Sequence, residues 1–354
     1  MKHIFHIHSN SCYLSALLII DNEGLSIQDC ILFICRNVKV NKEKFKTIEI
    51  EDKIYSHRYN AIRHFHKFPF KKNKTYIDKI DASIEECIKQ DQYTYYAPHC
   101  RNPFYQVFIT HPRCVQVHYL EDGMDAYLDM ESIYNRFPPY KPLTYKVYDK
   151  VLSFFDEYTK VSRTSRYVNL YEDIGRYPSI LYGLSNQSFP HSEKRKCLVF
   201  SDAVAKSCIG TAYVSDSLLL LDAVVEQNVI SEDAFKRFIE WFFSETISGP
   251  AINVKFHPMQ SAFSKRYVLE AASKNDINCN ILDENLIEID LYKYQGLKIY
   301  GIGSSLLNFA SLTNRHEVHA LYDFFEQKLG YLSPRLELWK KAFSSNERVI
   351  KFGN

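Results

Sequence analysis

Apolar and polar positions alternate from Lys2 to His8, the period of a short strand. Ser9-Asn10-Ser11 then offers capping side chains before the helical run Tyr13 to Leu18. Residues 30–35 (Cys-Ile-Leu-Phe-Ile-Cys) are continuously apolar, as a strand buried on both faces requires. Strand, loop, helix and strand in that order open an α/β domain. A helix over 76–90 and a strand over Tyr93–Tyr96 follow, then a loop, Pro98 to Pro103. The alternating segment Val115 to Leu120 runs directly into Glu121-Asp122-Gly123. The polar, aperiodic stretch Ser185 to Lys196 marks a boundary, giving domains 1–190 and 191–354. Beyond it the α/β pattern resumes. Strands are predicted over 197–200, 252–256, 286–289 and 297–300, and helices over 218–227, 232–243 and 306–312.

The length of 354 residues agrees with two domains. With 46% hydrophobic and 24% charged residues, the chain is neither disordered nor fibrous. Lys+Arg 44 against Asp+Glu 42 leaves +2, which does not favour nucleic acid as a partner. Nine cysteines without a Cys-x-x-Cys pair read as small buried residues of a cytoplasmic protein. His3, His6 and His8 interrupt what would be a signal peptide, and Leu14 to Ile20 is too short to span a bilayer. Abundant Lys, Tyr and Phe leave peripheral contact with an inner membrane open, and the basic stretch 40–75 reads first as a solvated face. No carboxylate is spaced with the three histidines, so they read as structural or acceptor-lining residues and no metal site is expected.

Three polar groups stand at predicted strand ends, where open α/β sheets bind ligands. Gly301-Ile-Gly303-Ser304-Ser305 follows a strand and opens a helix, so two hydroxyls and a helix N-terminus form a phosphate cradle. It lacks the Walker lysine and the third glycine of a dinucleotide fingerprint. In His257-Pro258 the proline biases His257 to an extended conformation, which points the imidazole outward as a donor to a departing phosphate. Glu121-Asp122-Gly123 offers a general base at a turn. No Asp-x-Asp occurs to hold a metal beside a diphosphate, so a donor with one phosphate fits better.

These motifs, in this order, resemble those of bacterial sialyltransferases of lipooligosaccharide, O-antigen and capsule synthesis, over about residues 1–315. The resemblance implies a GT-B fold: two Rossmann-like domains facing an interdomain cleft. It implies inverting, metal-independent transfer from CMP-sialic acid to a hydroxyl of a glycan or glycolipid, often galactose. Glu121 is then the favoured base and Asp122 the competing one, with Asp202 a minor candidate. His257 would meet the CMP phosphate, and Ser304 and Ser305 would hold it beside Gly303 and Pro258. Glu288, with Glu284 second, would bind ribose. Ser9 and Asn10 would line the sugar or acceptor side, and Gly123 would permit the turn beside the base. Two other readings stay open: a transferase for another CMP-activated acidic sugar such as CMP-Kdo, and a non-catalytic nucleotide- or glycan-binding protein. Acceptor, linkage and oligomeric state are not encoded in any readable motif.

Overall fold

A computed structural model of the chain describes residues 1–36, 38–50, 70–136, 154, 156–164, 170–171, 176–201, 204, 213–282, 287–344 and 346–352. The chain divides into two units, Met1–Ser201 and Asp202–Asn354, each built on a parallel sheet.

The first sheet contains β1 (Lys2–Ile7), β2 (Cys30–Ile34), β3 (Lys46–Glu49), β4 (Tyr93–Ala97), β5 (Cys114–Leu120), β6 (Leu181–Gly183) and β7 (Arg195–Cys197), ordered β3-β2-β1-β4-β5-β6-β7. Helices α1 (Asn10–Asn22), α2 (Phe70–Ile88) and α3 (Pro103–Ile109) lie between successive strands. Its core is aromatic: Phe5, Phe33, Tyr93, Tyr95, Phe108 and Tyr119 are fully buried. Each such side chain contributes roughly 1.5–3 kcal/mol over exposure, so core packing accounts for part of the chain's 26 Tyr and 24 Phe.

The second sheet contains β8 (Ser217–Leu220), β9 (Ala251–Lys255), β10 (Asn278–Ile281), β11 (Lys298–Gly301), β12 (Glu317–Ala320) and β13 (Val349–Lys351), ordered β10-β9-β8-β11-β12-β13. Helices between its strands include α4 (Glu232–Trp241), α5 (Ala262–Lys274), α6 (Ile287–Lys293), α7 (Ser305–Leu312) and α8 (Pro334–Ser344).

Both sheets start at a central strand, run to one edge, and return to the other side. Strand order therefore reverses between β1 and β4 in the first unit and between β8 and β11 in the second. Chain segments leave such a point to opposite sides and open a crevice at the carboxyl ends of the strands.

Three expected elements differ. Arg195–Cys197 is the edge strand of the first sheet rather than the first strand of the second, so the units part after Ser201 and not at 190. Leu218–Leu220 lies in a strand, not a helix. A four-leucine run carries no period, and burial on both faces selects the strand. Residues 287–289 open a helix, not a strand: Ile287 and Leu291, one turn apart, are both buried.

Among the described residues no disulfide occurs; Cys12, Cys30, Cys35, Cys87 and Cys100 are buried as expected, whereas Cys114 and Cys279 are half-buried and Cys197 is exposed. No described helix is long and apolar enough to cross a membrane. Positions 51–69 of the basic stretch lie outside the described residues.

Candidate active site

In the first unit the candidate residues meet where β1 and β5 end. Ser9 caps α1: its extended backbone lets Oγ accept from Cys12 N–H at 3.2 Å. The same hydroxyl donates to Asp122 Oδ1 at 2.8 Å. His8 Nε2 lies 2.8 Å from Asp122 Oδ2, and Cys12 Sγ donates to Asp122 Oδ1 at 3.1 Å. The Tyr105 hydroxyl is 3.3 Å from the other His8 nitrogen, Nδ1. Burial pushes the Asp122 carboxyl up, but the His8 imidazole and hydrogen bonds from His8, Cys12 and Ser9 outweigh it and hold the group down at about 2. Its side chain stays 26% exposed. Asp122 is therefore an ionised carboxylate, fixed in direction and open to solvent on one side.

Glu121 is different. It is 4% exposed, and both its oxygens are engaged within the unit. Tyr127 Oη donates to Oε1 at 2.6 Å. Leu184 N–H and Ser188 Oγ donate to Oε2 at 2.7 and 2.6 Å. Burial raises its pKa against these donors. Such a carboxylate ties the β5 end to the loop after β6 and does not face an incoming hydroxyl. Gly123 has φ 122°, a backbone that disfavours a side chain, and it turns the chain directly after Asp122. Asn10 opens α1, half-buried.

The other first-strand histidines serve packing. His6 is fully buried among Tyr95, Phe104, Tyr105 and Phe108, with Nδ1 3.0 Å from Tyr95 Oη. Burial pushes its pKa well down, so the ring is neutral. His3 pairs with Tyr96 at 3.2 Å.

In the second unit His257 follows β9 and is half-buried, and Pro258 is exposed. Met259 N–H donates to His257 Nδ1 at 3.1 Å, and His257 N–H donates to the Gln260 side chain at 2.8 Å. An accepting Nδ1 places the proton of the neutral ring on Nε2, the donor form. Ser304 caps α7, with Oγ accepting from Leu306 N–H at 3.2 Å. Ser305 is the first residue of that helix. Gly303 is dictated by packing: a Cβ there would overlap the Trp339 indole of α8. Glu288 sits in the first turn of α6 and is buried. Glu284 and Asp202 lie outside the described residues.

The structure adds a residue that sequence reasoning missed. Asp222 stands two positions beyond β8, at the reversal of strand order. It accepts from Gly303 N–H at 3.3 Å and from the Ser304 hydroxyl. Burial raises its pKa to about 6, against those donors and the nearby positive charge of Arg335. The Arg335 guanidinium lies over Trp339, 5.6 Å from the ring centre. Recognising 218–220 as a strand is the signal that would have placed Asp222 at a strand end.

No family model matches the chain, and no characterised protein sequence matches it. Solved structures do. A Photobacterium 2,6-sialyltransferase, in a ternary complex with CMP and lactose, superposes with a TM-score of 0.53 at 12% identity, over 99% of this chain and 78% of its own. A Listeria monocytogenes protein assigned as a UDP-N-acetylglucosamine 2-epimerase superposes with a TM-score of 0.51 at 9% identity, over 98% and 89%. These likenesses define the fold as GT-B, two Rossmann-like domains each on a parallel sheet. That agrees with the architecture expected from the sequence.

Proposed function

We propose that the chain is an inverting glycosyltransferase that moves sialic acid from CMP-sialic acid to a hydroxyl of a surface glycan, with Asp122 as the general base. The observation that carries this reading is the Asp122 carboxylate: ionised, held by three side chains and partly solvated at a strand end. A base so placed accepts the acceptor's proton as its oxygen attacks the anomeric carbon. This reverses the preference for Glu121: each carboxylate accepts from three groups, but Glu121 is 4% exposed whereas the Asp122 side chain is 26% exposed, so only Asp122 can meet an incoming hydroxyl. A GT-B neighbour that binds CMP and lactose supports the donor and acceptor classes.

The second unit would hold the donor. His257 Nε2–H would donate to the phosphate, and Ser304, Ser305 and the α7 N-terminus would cradle it. Glu288 would bind ribose. Pro258 and Gly303 would shape these loops. Ser9 orients the base, with Asn10 on the same turn. These roles need no metal, and the reaction would take place at the cytoplasmic side, where CMP-sugars are made available.

Incubating the protein with CMP-sialic acid and galactose-terminated acceptors tests the reading: CMP release with a sialylated product is expected. Turnover with CMP-Kdo alone would move the donor assignment to that sugar. CMP binding without any transfer would leave a binding module. Ser304→Ala with Ser305→Ala should weaken CMP binding by about tenfold, the value of one or two charge-assisted hydrogen bonds. Unchanged affinity by calorimetry would remove the cradle.

Asp222 gives a separate prediction. Its folded pKa of about 6 lies above the ordinary carboxylate value. The folded chain therefore keeps this proton further up the pH scale than the unfolded chain does. Stability should fall as pH rises from about 4 to about 6 and stay lower above that. Asp222→Asn should flatten this slope and add on the order of 1 kcal/mol at pH 7. Urea midpoints at pH 4 and 7 read this directly, and an unaltered slope would refute it.

A further inference from the structure

We infer that His8, Cys12 and Asp122 form a binding site for a soft divalent cation of the zinc class, and that the bound ion blocks the proposed base. Binding stands on the cluster itself; the block rests on the role proposed for Asp122.

One ligand atom from each residue lies within 4.8 Å of the other two. The closest approaches are 2.8 Å between His8 Nε2 and Asp122 Oδ2, and 3.1 Å between Cys12 Sγ and Asp122 Oδ1. Cys12 Sγ is 3.7 Å from His8 Nδ1, the ring nitrogen that would face away from the ion. A tetrahedral zinc ion with bonds of about 2.0–2.3 Å sets its ligand atoms roughly 3.3–3.8 Å apart. The 2.8 and 3.1 Å approaches are shorter than this spacing, so the side chains would move apart to admit an ion. The residues come from a rigid frame, since His8 and Cys12 flank the capped first turn of α1 and Asp122 ends a central strand.

The ligand set selects the ion. Imidazole, thiolate and carboxylate together suit zinc, whereas magnesium and calcium prefer all-oxygen sites. The charges also balance: one thiolate and one carboxylate neutralise a dication in a site where Cys12 is fully buried and the His8 side chain is 8% exposed. Binding replaces the Cys12 thiol proton by the metal and releases that proton to solvent, with no redox change. With Nε2 on the ion, Nδ1–H faces the Tyr105 hydroxyl, the outer partner that ligating histidines usually have. The partly solvated side of Asp122 leaves a fourth position for water. An ion there occupies the carboxylate lone pair that would otherwise take the acceptor's proton.

Titrating the metal-free chain with cobalt(II) tests binding without any assay of transfer. The expected result is a thiolate-to-cobalt charge-transfer band with tetrahedral d–d bands, displaced by zinc. Cys12→Ser should abolish the charge-transfer band, and Cys35→Ser, which removes the thiol beside His6, should retain it. Bands that are absent, or that persist in Cys12→Ser, overturn the site. If Cys12→Ser does not fold, Asp122→Asn decides: at least about tenfold weaker cobalt binding is expected, and unchanged affinity overturns the site. Zinc should also inhibit transfer by the wild-type chain, reversibly with a chelator. Cobalt bands with undiminished transfer overturn the block and, with it, Asp122 as base. Bands in a chain that transfers no sugar sustain the site while the transferase reading fails.

Discussion

Asparagine at position 122 is expected to lower sugar transfer by roughly 10²–10⁴, the usual worth of a positioned acid–base group, while CMP affinity stays nearly unchanged. The substitution keeps the volume and lets the amide oxygen accept from Ser9 and Cys12, which now donate to Oδ1. What disappears is the negative charge and the basic lone pair. The loss should appear in kcat more than in KM, because ground-state binding of the acceptor does not need the proton acceptor. Parallel loss of CMP binding would mean that Asp122 organises the fold. Full activity would end its candidacy.

Replacing Glu121 should act on stability. Glu121→Ala leaves the Tyr127 hydroxyl, the Ser188 hydroxyl and the Leu184 N–H without their acceptor. Each buried orphan costs about 1–3 kcal/mol, so a loss of roughly 3–9 kcal/mol is expected. That is a large part of an ordinary domain's 5–15 kcal/mol. Glu121→Gln loses less, since one amide oxygen can still accept, but its NH₂ then faces a donor. Urea denaturation followed by circular dichroism reads both. A Glu121→Gln chain that is as stable as wild type, binds CMP and transfers no sugar would return the base role to Glu121.

The adjacency of these two carboxylates shows what a linear reading can and cannot reach. That a strand ends in an acidic pair before glycine was legible from alternation over Val115–Leu120. Which carboxylate faces solvent was not. The answer depends on Ser188 and Leu184, more than sixty residues downstream, and on His8 and Cys12, more than a hundred upstream. Parallel sheets bring such distant segments together at strand ends, and no local period records it. The same holds for the histidines of β1. No carboxylate is spaced with them in sequence, yet the topology delivers Asp122 to His8. Continuous or alternating patterns placed β1, β2, β4, β5, β9 and β11 well, and capping serines announced α1 and α7. Four consecutive leucines concealed β8, and with it Asp222. In Ile287-Glu-Ile-Asp290 alternation imitated a strand where packing selects a helix.

Gly303 and Trp339 are one choice made twice. The indole of α8 lies where any side chain at 303 would have to go. Among related chains, a residue larger than glycine at the position of Gly303 should therefore appear only with something smaller than tryptophan at the position of Trp339. The turn that carries Ser304 and the distant helix α8 should drift together or stay fixed together. A survey of substitutions at the two positions, rather than at either alone, would show how far the shape of this turn is free to vary.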